Sequence, residues 1–123
     1  QEKISNAQEL TADHKNKTIF LALGYNGQQE IVDAAKKIAL DHKNGLDLKE
    51  LDEKKFKKYL YSELIEPDLI VRTGDTQRLS GFLTYQSAYS ELYFIQKHWP
   101  QLKEQDVDLA VKEYNSRQRK FGK

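Results

Sequence analysis

Three short apolar runs, separated by stretches of helical periodicity, constrain the fold of this chain more than any other feature. The runs occupy residues 18–23, 68–72 and 92–95. Their length and lack of alternation are typical of strands buried on both faces, as in a parallel sheet. Between them, apolar residues recur every three or four positions, the period of an amphipathic helix. The order of strands and helices therefore predicts an α/β fold, a parallel sheet flanked by helices.

Helix limits follow from the same periodicity and from capping residues. We predict helices over residues 2–15, 28–42, 52–61, 82–89 and 103–119. Asp52 is a suitable N-cap, and Asn44–Gly45 is a common helix ending. Val107, Leu109 or Ala110, Val111 and Tyr114 are expected to face inward from the last helix. Three strands make a small sheet, so we expect the 123 residues to be part of a larger domain.

Composition limits the classes of function. The 20 Lys and Arg against 19 Asp and Glu give a net charge of +1, which argues against general nucleic-acid binding. The absence of cysteine excludes disulfides and thiolate metal sites. No apolar run approaches the ~18 residues of a membrane span. Because the chain begins Gln-Glu-Lys rather than with Met, we expect the natural N-terminus to lie upstream.

Arg72 and Arg78 lie six residues apart on either side of a Thr-Gly-Asp-Thr turn, and Ser80 follows. Arg72 ends a predicted parallel strand, where open α/β sheets bind ligands. Guanidinium groups match phosphate oxygens bidentately, and Ser80 adds a hydroxyl. Backbone N–H groups near Gly74 are further candidate donors. These residues predict a diphosphate receptor. The alternative is that both arginines form surface ion pairs, with Asp75, Glu63 or Glu66.

Other candidate residues have an ordinary alternative. Glu91 precedes an apolar run and is either a Mg²⁺ ligand or a solvated, ion-paired carboxylate. Tyr25 and Asn26 follow the first apolar run and form either a substrate-facing loop or a plain turn. The basic tail, residues 117–123, is either a helix end or an arm that reaches a phosphate, including one across a subunit interface. The three histidines lack metal-ligand spacing and are interpreted as surface or structural residues.

Several motifs, in order, resemble one enzyme family. PDLIVRTG at 67–74, RLSGFL at 78–83, QSAYSELYF at 86–94 and Trp99-Pro100 resemble the C-terminal signature of cis-prenyltransferases of the undecaprenyl diphosphate synthase type. LGYNGQQEIV at 23–32 resembles the family's Asn-Tyr-Gly-Gly-Arg-x-Glu-Ile-Val segment. RQRKFG at 117–122 resembles its closing Arg-x-Arg-Arg-Phe-Gly. The resemblance covers essentially the whole chain.

The resemblance implies a function and a set of site residues. The family condenses isopentenyl diphosphate with an allylic diphosphate such as farnesyl diphosphate, in Z geometry and with Mg²⁺, to make precursors of cell-wall lipid carriers. It implies that Arg72, Arg78 and Ser80 hold isopentenyl diphosphate and that Glu91 binds Mg²⁺. Accessory candidates are Tyr25, Asn26, Lys120 and Gly122. It further implies a cytoplasmic homodimer without nucleic acid, whose tail crosses to the partner and whose product brings peripheral membrane contact.

The sequence also departs from the family pattern. The first half of the family domain, with its catalytic aspartate and the loop for the allylic diphosphate, has no counterpart here. Residues 1–123 thus match the C-terminal portion of one domain, and we predict no catalytic residue among them. Replacements at motif positions are Gln28 for Arg, Thr76 for an acidic residue, Tyr85 for Trp and Lys120 for Arg. The alternatives are a non-catalytic partner subunit of a heteromeric prenyltransferase and an unrelated phosphate-binding fragment.

Overall fold

The computed structural model describes residues 2–63 and 65–117. Its helices are α1 (Glu2–Thr11), α2 (Gly27–Lys43), α3 (Glu53–Lys57) and α4 (Glu104–Ser116). Its strands are β1 (Leu69–Thr73) and β2 (Glu91–Ile95), and two short 3-10 turns span Leu48–Glu50 and Trp99–Gln101. Of the described helices, none combines the length and the apolar character needed to cross a membrane.

The two strands form a parallel sheet, which confirms the predicted α/β class. Leu69 pairs with Glu91 at one end of the ladder and Thr73 with Ile95 at the other. The backbone N–H of Gly74 donates to the carbonyl of Ile95 at 2.9 Å and continues the pairing beyond β1. Parallel strands need a crossover connection, and residues 74–90 provide it. The carboxyl ends of β1 and β2 consequently share one edge of the sheet.

Helix α2 follows the predicted limits closely. Ala34 and Ile38 are four residues apart and are both buried, so they form the stripe that faces the interior. Asn44 is the C-cap, as expected. Gly45 adopts a φ of +108°, a left-handed conformation that favours glycine directly after a helix. The helix therefore begins and ends where local sequence signals place it.

Two predicted elements are wrong. Residues 18–23 form no strand, and Ile19, Leu21 and Leu23 are between 73% and 85% exposed. A strand exists only through pairing, and no described segment pairs with this one. Residues 82–89 form consecutive turns rather than a helix. There, Leu83 has a φ of +47°, outside the right-handed helical region.

The remaining helices are shorter or less buried than predicted. Helix α3 ends at Lys57, although Asp52 is its N-cap as expected and its carboxylate accepts the backbone N–H of Lys55 at 2.7 Å. Helix α1 ends at Thr11. On α4 only Ala110 is fully buried and Tyr114 is half-buried, because the helix packs against β2 along a narrow side. Three residues expected inward are about half exposed, namely Val107, Leu109 and Val111.

Candidate functional site

The carboxyl edge of the sheet brings together two of the three predicted diphosphate ligands. Arg72 lies one residue before the end of β1, and its Nη1 donates to the Oγ of Ser80 at 2.8 Å. The same nitrogen donates to the backbone carbonyl of Arg78. The loop after β1 thus closes over the guanidinium. A cavity of about 270 Å³ adjoins it, lined by Ile70, Val71, Arg72, Thr73, Leu79 and Phe82.

The two arginines carry no counter-charge from the residues that the structure describes. The side chain of Arg78 is exposed, and Arg72 contacts only neutral acceptors, a carbonyl and a hydroxyl. Within residues 2–63 and 65–117, no ion pair joins either arginine to an acidic side chain, and Glu66 pairs with Lys57 instead. The structure therefore favours the anion-receptor interpretation over surface ion pairs.

The turn that carries Ser80 has an unusual backbone. Ser80 has a φ of +51° and Gly81 a φ of +77°. Left-handed conformations are unfavourable for residues with a Cβ, so the surroundings must hold Ser80 in place. Gly74 does not play the predicted role of a free N–H donor, because its amide donates to the carbonyls of Ile95 and Lys97, each at 2.9 Å.

Glu91 lies away from the arginine site. It pairs with Leu69 at the start of β2, whereas Arg72 pairs with Phe94 three residues further along. At ~3.3 Å per residue the separation along the sheet is about 10 Å, and alternation places the two side chains on opposite faces. The carboxylate accepts a hydrogen bond from Nη1 of Arg117 at 2.8 Å. That bond, followed by one to Glu113, raises the pKa of Arg117 against the opposing effect of desolvation.

Magnesium does not fit Glu91 through the described residues alone. Those residues contain no group of three or more His, Asp or Glu side chains that could hold a metal ion. The one carboxylate predicted as a ligand is already engaged by a guanidinium. A cation at Glu91 would therefore have to displace Arg117 and find its other ligands elsewhere.

The accessory candidates divide into two groups. The side-chain oxygen of Asn26 caps α2 by accepting the backbone N–H groups of Gln28 at 3.0 Å and Gln29 at 3.2 Å. The hydroxyl of Tyr25 donates to the carboxylate of Glu30 at 2.5 Å. Both side chains serve the local fold, which favours the plain-turn interpretation. Lys120 and Gly122 lie outside the described residues.

Sequence reasoning missed a buried polar cluster beside the site. Glu30 is 1% exposed, and its carboxylate accepts hydrogen bonds from Tyr25, from Nε2 of Gln86 at 2.9 Å and from the backbone N–H of Tyr61 at 2.8 Å. Burial, then the hydrogen bond to Glu30, raises the pKa of Tyr25. The available signal was position: Glu30 precedes Ala34 by four residues and continues the buried stripe of α2.

Comparison with known proteins identifies the family. A prenyltransferase family model, described as undecaprenyl diphosphate synthase, matches residues 1–122. The chain is 44% identical to a tritrans,polycis-undecaprenyl-diphosphate synthase (geranylgeranyl-diphosphate specific) of Methanopyrus kandleri, over 98% of this chain and 45% of that protein. It is 46% identical to the Thermoplasma acidophilum protein of the same name, over 100% of this chain and 48% of the relative.

The fold comparison agrees with the sequence comparison. Lavandulyl diphosphate synthase from Lavandula x intermedia, solved in complex with dimethylallyl diphosphate, superposes with a TM-score of 0.94 at 36% identity. The match covers 100% of this chain and 54% of that structure. The chain spans about half the length of the curated relatives it matches. With the family model matching nearly every residue, the chain belongs to the undecaprenyl diphosphate synthase family of prenyltransferases.

Proposed function

We propose that the protein containing this chain is a cis-prenyltransferase. It condenses isopentenyl diphosphate with an allylic prenyl diphosphate to give a Z-polyprenyl diphosphate, a lipid-carrier precursor. Residues 1–123 are proposed to be the C-terminal portion of its single domain. The observation that carries the proposal is the contact between Arg72 and Ser80 at the carboxyl edge of the sheet, with no acidic partner among the described residues.

Arg72, Arg78 and Ser80 are proposed to hold the diphosphate of isopentenyl diphosphate. Arg72 uses one nitrogen, Nη1, to close the loop, so its remaining N–H groups are available for phosphate oxygens. The hydroxyl of Ser80 can accept from Arg72 while it donates to the ligand. The exposed Arg78 supplies the second positive charge. Such a grip contributes to catalysis by fixing the nucleophilic substrate in one orientation.

The identity of the allylic substrate is open to a direct comparison. The two archaeal relatives are named as geranylgeranyl-diphosphate specific. This favours geranylgeranyl diphosphate, with farnesyl diphosphate as the alternative. Mg²⁺ remains in the proposal as the cation that accompanies the diphosphates, with Glu91 as its candidate ligand, but no step proposed for the described residues depends on it. A cytoplasmic homodimer with peripheral membrane contact rests on the family alone.

The test is a condensation assay with the purified full-length protein, labelled isopentenyl diphosphate, Mg²⁺ and either allylic diphosphate. Arg78→Ala should raise the KM for isopentenyl diphosphate by about 30-fold or more, as expected for loss of a desolvated charged contact. Lys112→Ala, which removes an exposed cation from α4, is the matched control. Unchanged kinetics in Arg78→Ala would overturn the assigned role. Activity that appears only after a second chain is added would identify the protein as a partner subunit instead.

A further inference from the structure

The buried carboxylate of Glu30 joins three separate segments of the chain. Its Oε2 accepts from the hydroxyl of Tyr25, in the loop before α2, and from Nε2 of Gln86, in the crossover after β1. Its Oε1 accepts from the backbone N–H of Tyr61, which follows α3. Within the described part of the chain no cation pairs with it. A carboxylate removed from water is costly unless hydrogen bonds compensate, and here three donors do so.

One of the three segments is the turn that carries Ser80. Gln86 follows that turn directly, and the backbone N–H of Gly27, at the start of α2, donates to the carbonyl of Gly81 at 2.9 Å. The ring of Tyr25 also meets the ring of Phe82 edge-on, with centroids 5.8 Å apart. The first turn of α2 and the turn after β1 are therefore fastened together at three points.

The fastened turn has a conformation that it would not adopt alone. Ser80 and Leu83 have φ values of +51° and +47°, and neither is glycine. Such residues persist only where the surroundings hold them, and they concentrate at ligand-binding sites. Arg72 holds Ser80 from the strand side. Glu30, through Gln86, holds the other side of the same turn.

We propose that Glu30 is a positioning residue, which acts through Gln86 to keep the Ser80 turn in the conformation that receives the isopentenyl diphosphate group. This inference rests on the proposed function. Glu30 touches no substrate in this arrangement; it lies behind the turn, while Arg72 and Ser80 face the ligand. Its loss should therefore affect binding of one substrate more than turnover or binding of the other.

The experiment exchanges the two partners in the full-length protein. Glu30→Gln places an amide against the amide of Gln86, and Gln86→Glu places two carboxylates together. Each single change should raise the KM for isopentenyl diphosphate by about tenfold, the equivalent of one buried hydrogen bond, with kcat and the allylic KM within about twofold of wild type. The double exchange, Glu30→Gln with Gln86→Glu, restores one amide and one carboxylate and should recover most of the affinity.

Two further variants keep the test decisive. Glu104→Gln, at an exposed position in the first turn of α4, is the matched control and should not alter the kinetics. If Glu30→Gln fails to fold, Tyr25→Phe removes only one donor to the same carboxylate and should give a smaller rise in the same KM. Amide hydrogen exchange should also quicken at Phe82 and Ser87, whose N–H groups donate within the turn, and not in α4.

The inference and the proposed function fail in different ways. If the wild type condenses its substrates but Glu30→Gln changes nothing, or lowers every kinetic parameter alike with no recovery in the double exchange, the inference is wrong and the function stands. If the wild type shows no condensation but binds inorganic diphosphate, and Glu30→Gln weakens that binding, the function is wrong and the inference stands. Absence of diphosphate binding in the wild type overturns both.

Discussion

Nη1 of Arg72 lies 2.8 Å from Oγ of Ser80, and it also donates to the backbone carbonyl of Arg78. One side chain therefore both closes the loop after β1 and supplies positive charge to the site. A planar guanidinium can do this because it presents several donors in a fixed geometry, whereas an ammonium group is a single point of charge. The shape of the loop and the charge at its centre depend on the same residue.

Arg72→Lys separates the two contributions of Arg72. The charge is kept and the fork is lost, so the KM for isopentenyl diphosphate should rise by about 10- to 100-fold. Ser80→Ala removes one hydroxyl and should raise it by about 3- to 10-fold. Steady-state kinetics measures both. Gln77→Ala, at an exposed position in the same loop, is the control, and an equal effect in all three variants would contradict the assigned geometry.

Gly27→Ala tests the contact between α2 and the Ser80 turn. An added Cβ would lie 2.5 Å from the carbonyl oxygen of Gly81 and from Oγ1 of Thr84. A backbone oxygen cannot retreat unless the turn moves, so we expect the free energy of unfolding to fall by ~1–3 kcal/mol. Urea denaturation measures the loss. Gln28→Ala, one residue later and exposed, should have little effect, and equal stability of the two variants would show that the turn yields freely.

Local signals account for the parts of the fold that were predicted correctly. The apolar stripe of α2, the C-cap at Asn44 and the N-cap at Asp52 all depend on residues a few positions apart. The position of Arg72 at the end of β1 follows from the same kind of signal. Its contact with Ser80 was expected because both residues flank one short turn.

Errors arose where structure depends on distant residues. The run at 18–23 has strand composition, but pairing decides whether a strand forms, and no described segment pairs with it. The left-handed backbone of Leu83 cannot be read from helix-compatible composition. Likewise, Glu30 contacts Gln86 across 56 positions of sequence, and Arg117 reaches Glu91 across 26. Periodicity places each residue on a face but does not identify its partner.

Asp106→Asn should make stability less dependent on acidic pH. The hydrogen bond from Lys97, followed by one from the backbone N–H of Lys103, holds the pKa of Asp106 below its ordinary value of 3.8. A carboxylate with a lowered pKa in the folded state stabilises the protein above its unfolded pKa, and that contribution is lost as the pH falls through the folded pKa. The difference in Tm between wild type and variant should be full above about pH 5 and shrink below about pH 4.

The control for this pH dependence is Asp108→Asn, an exposed carboxylate on the same helix. Scanning calorimetry across the pH range measures both variants against the wild type. A Tm difference for Asp106→Asn that stays constant from neutral pH to below pH 3 would show that the interaction with Lys97 does not depend on the ionised carboxylate.

Glu91 and Arg117 provide the last prediction, because their ion pair and the proposed metal role of Glu91 compete for the same oxygens. Glu91→Gln should raise the Mg²⁺ concentration needed for half-maximal activity, since a carboxylate ligand is lost. Arg117→Ala should lower it, by about threefold or more, since the competing cation is gone. Glu113→Gln, which alters the second carboxylate beside Arg117, is the control. Changes of the same sign in Glu91→Gln and Arg117→Ala would show that the pair only fastens α4 to β2.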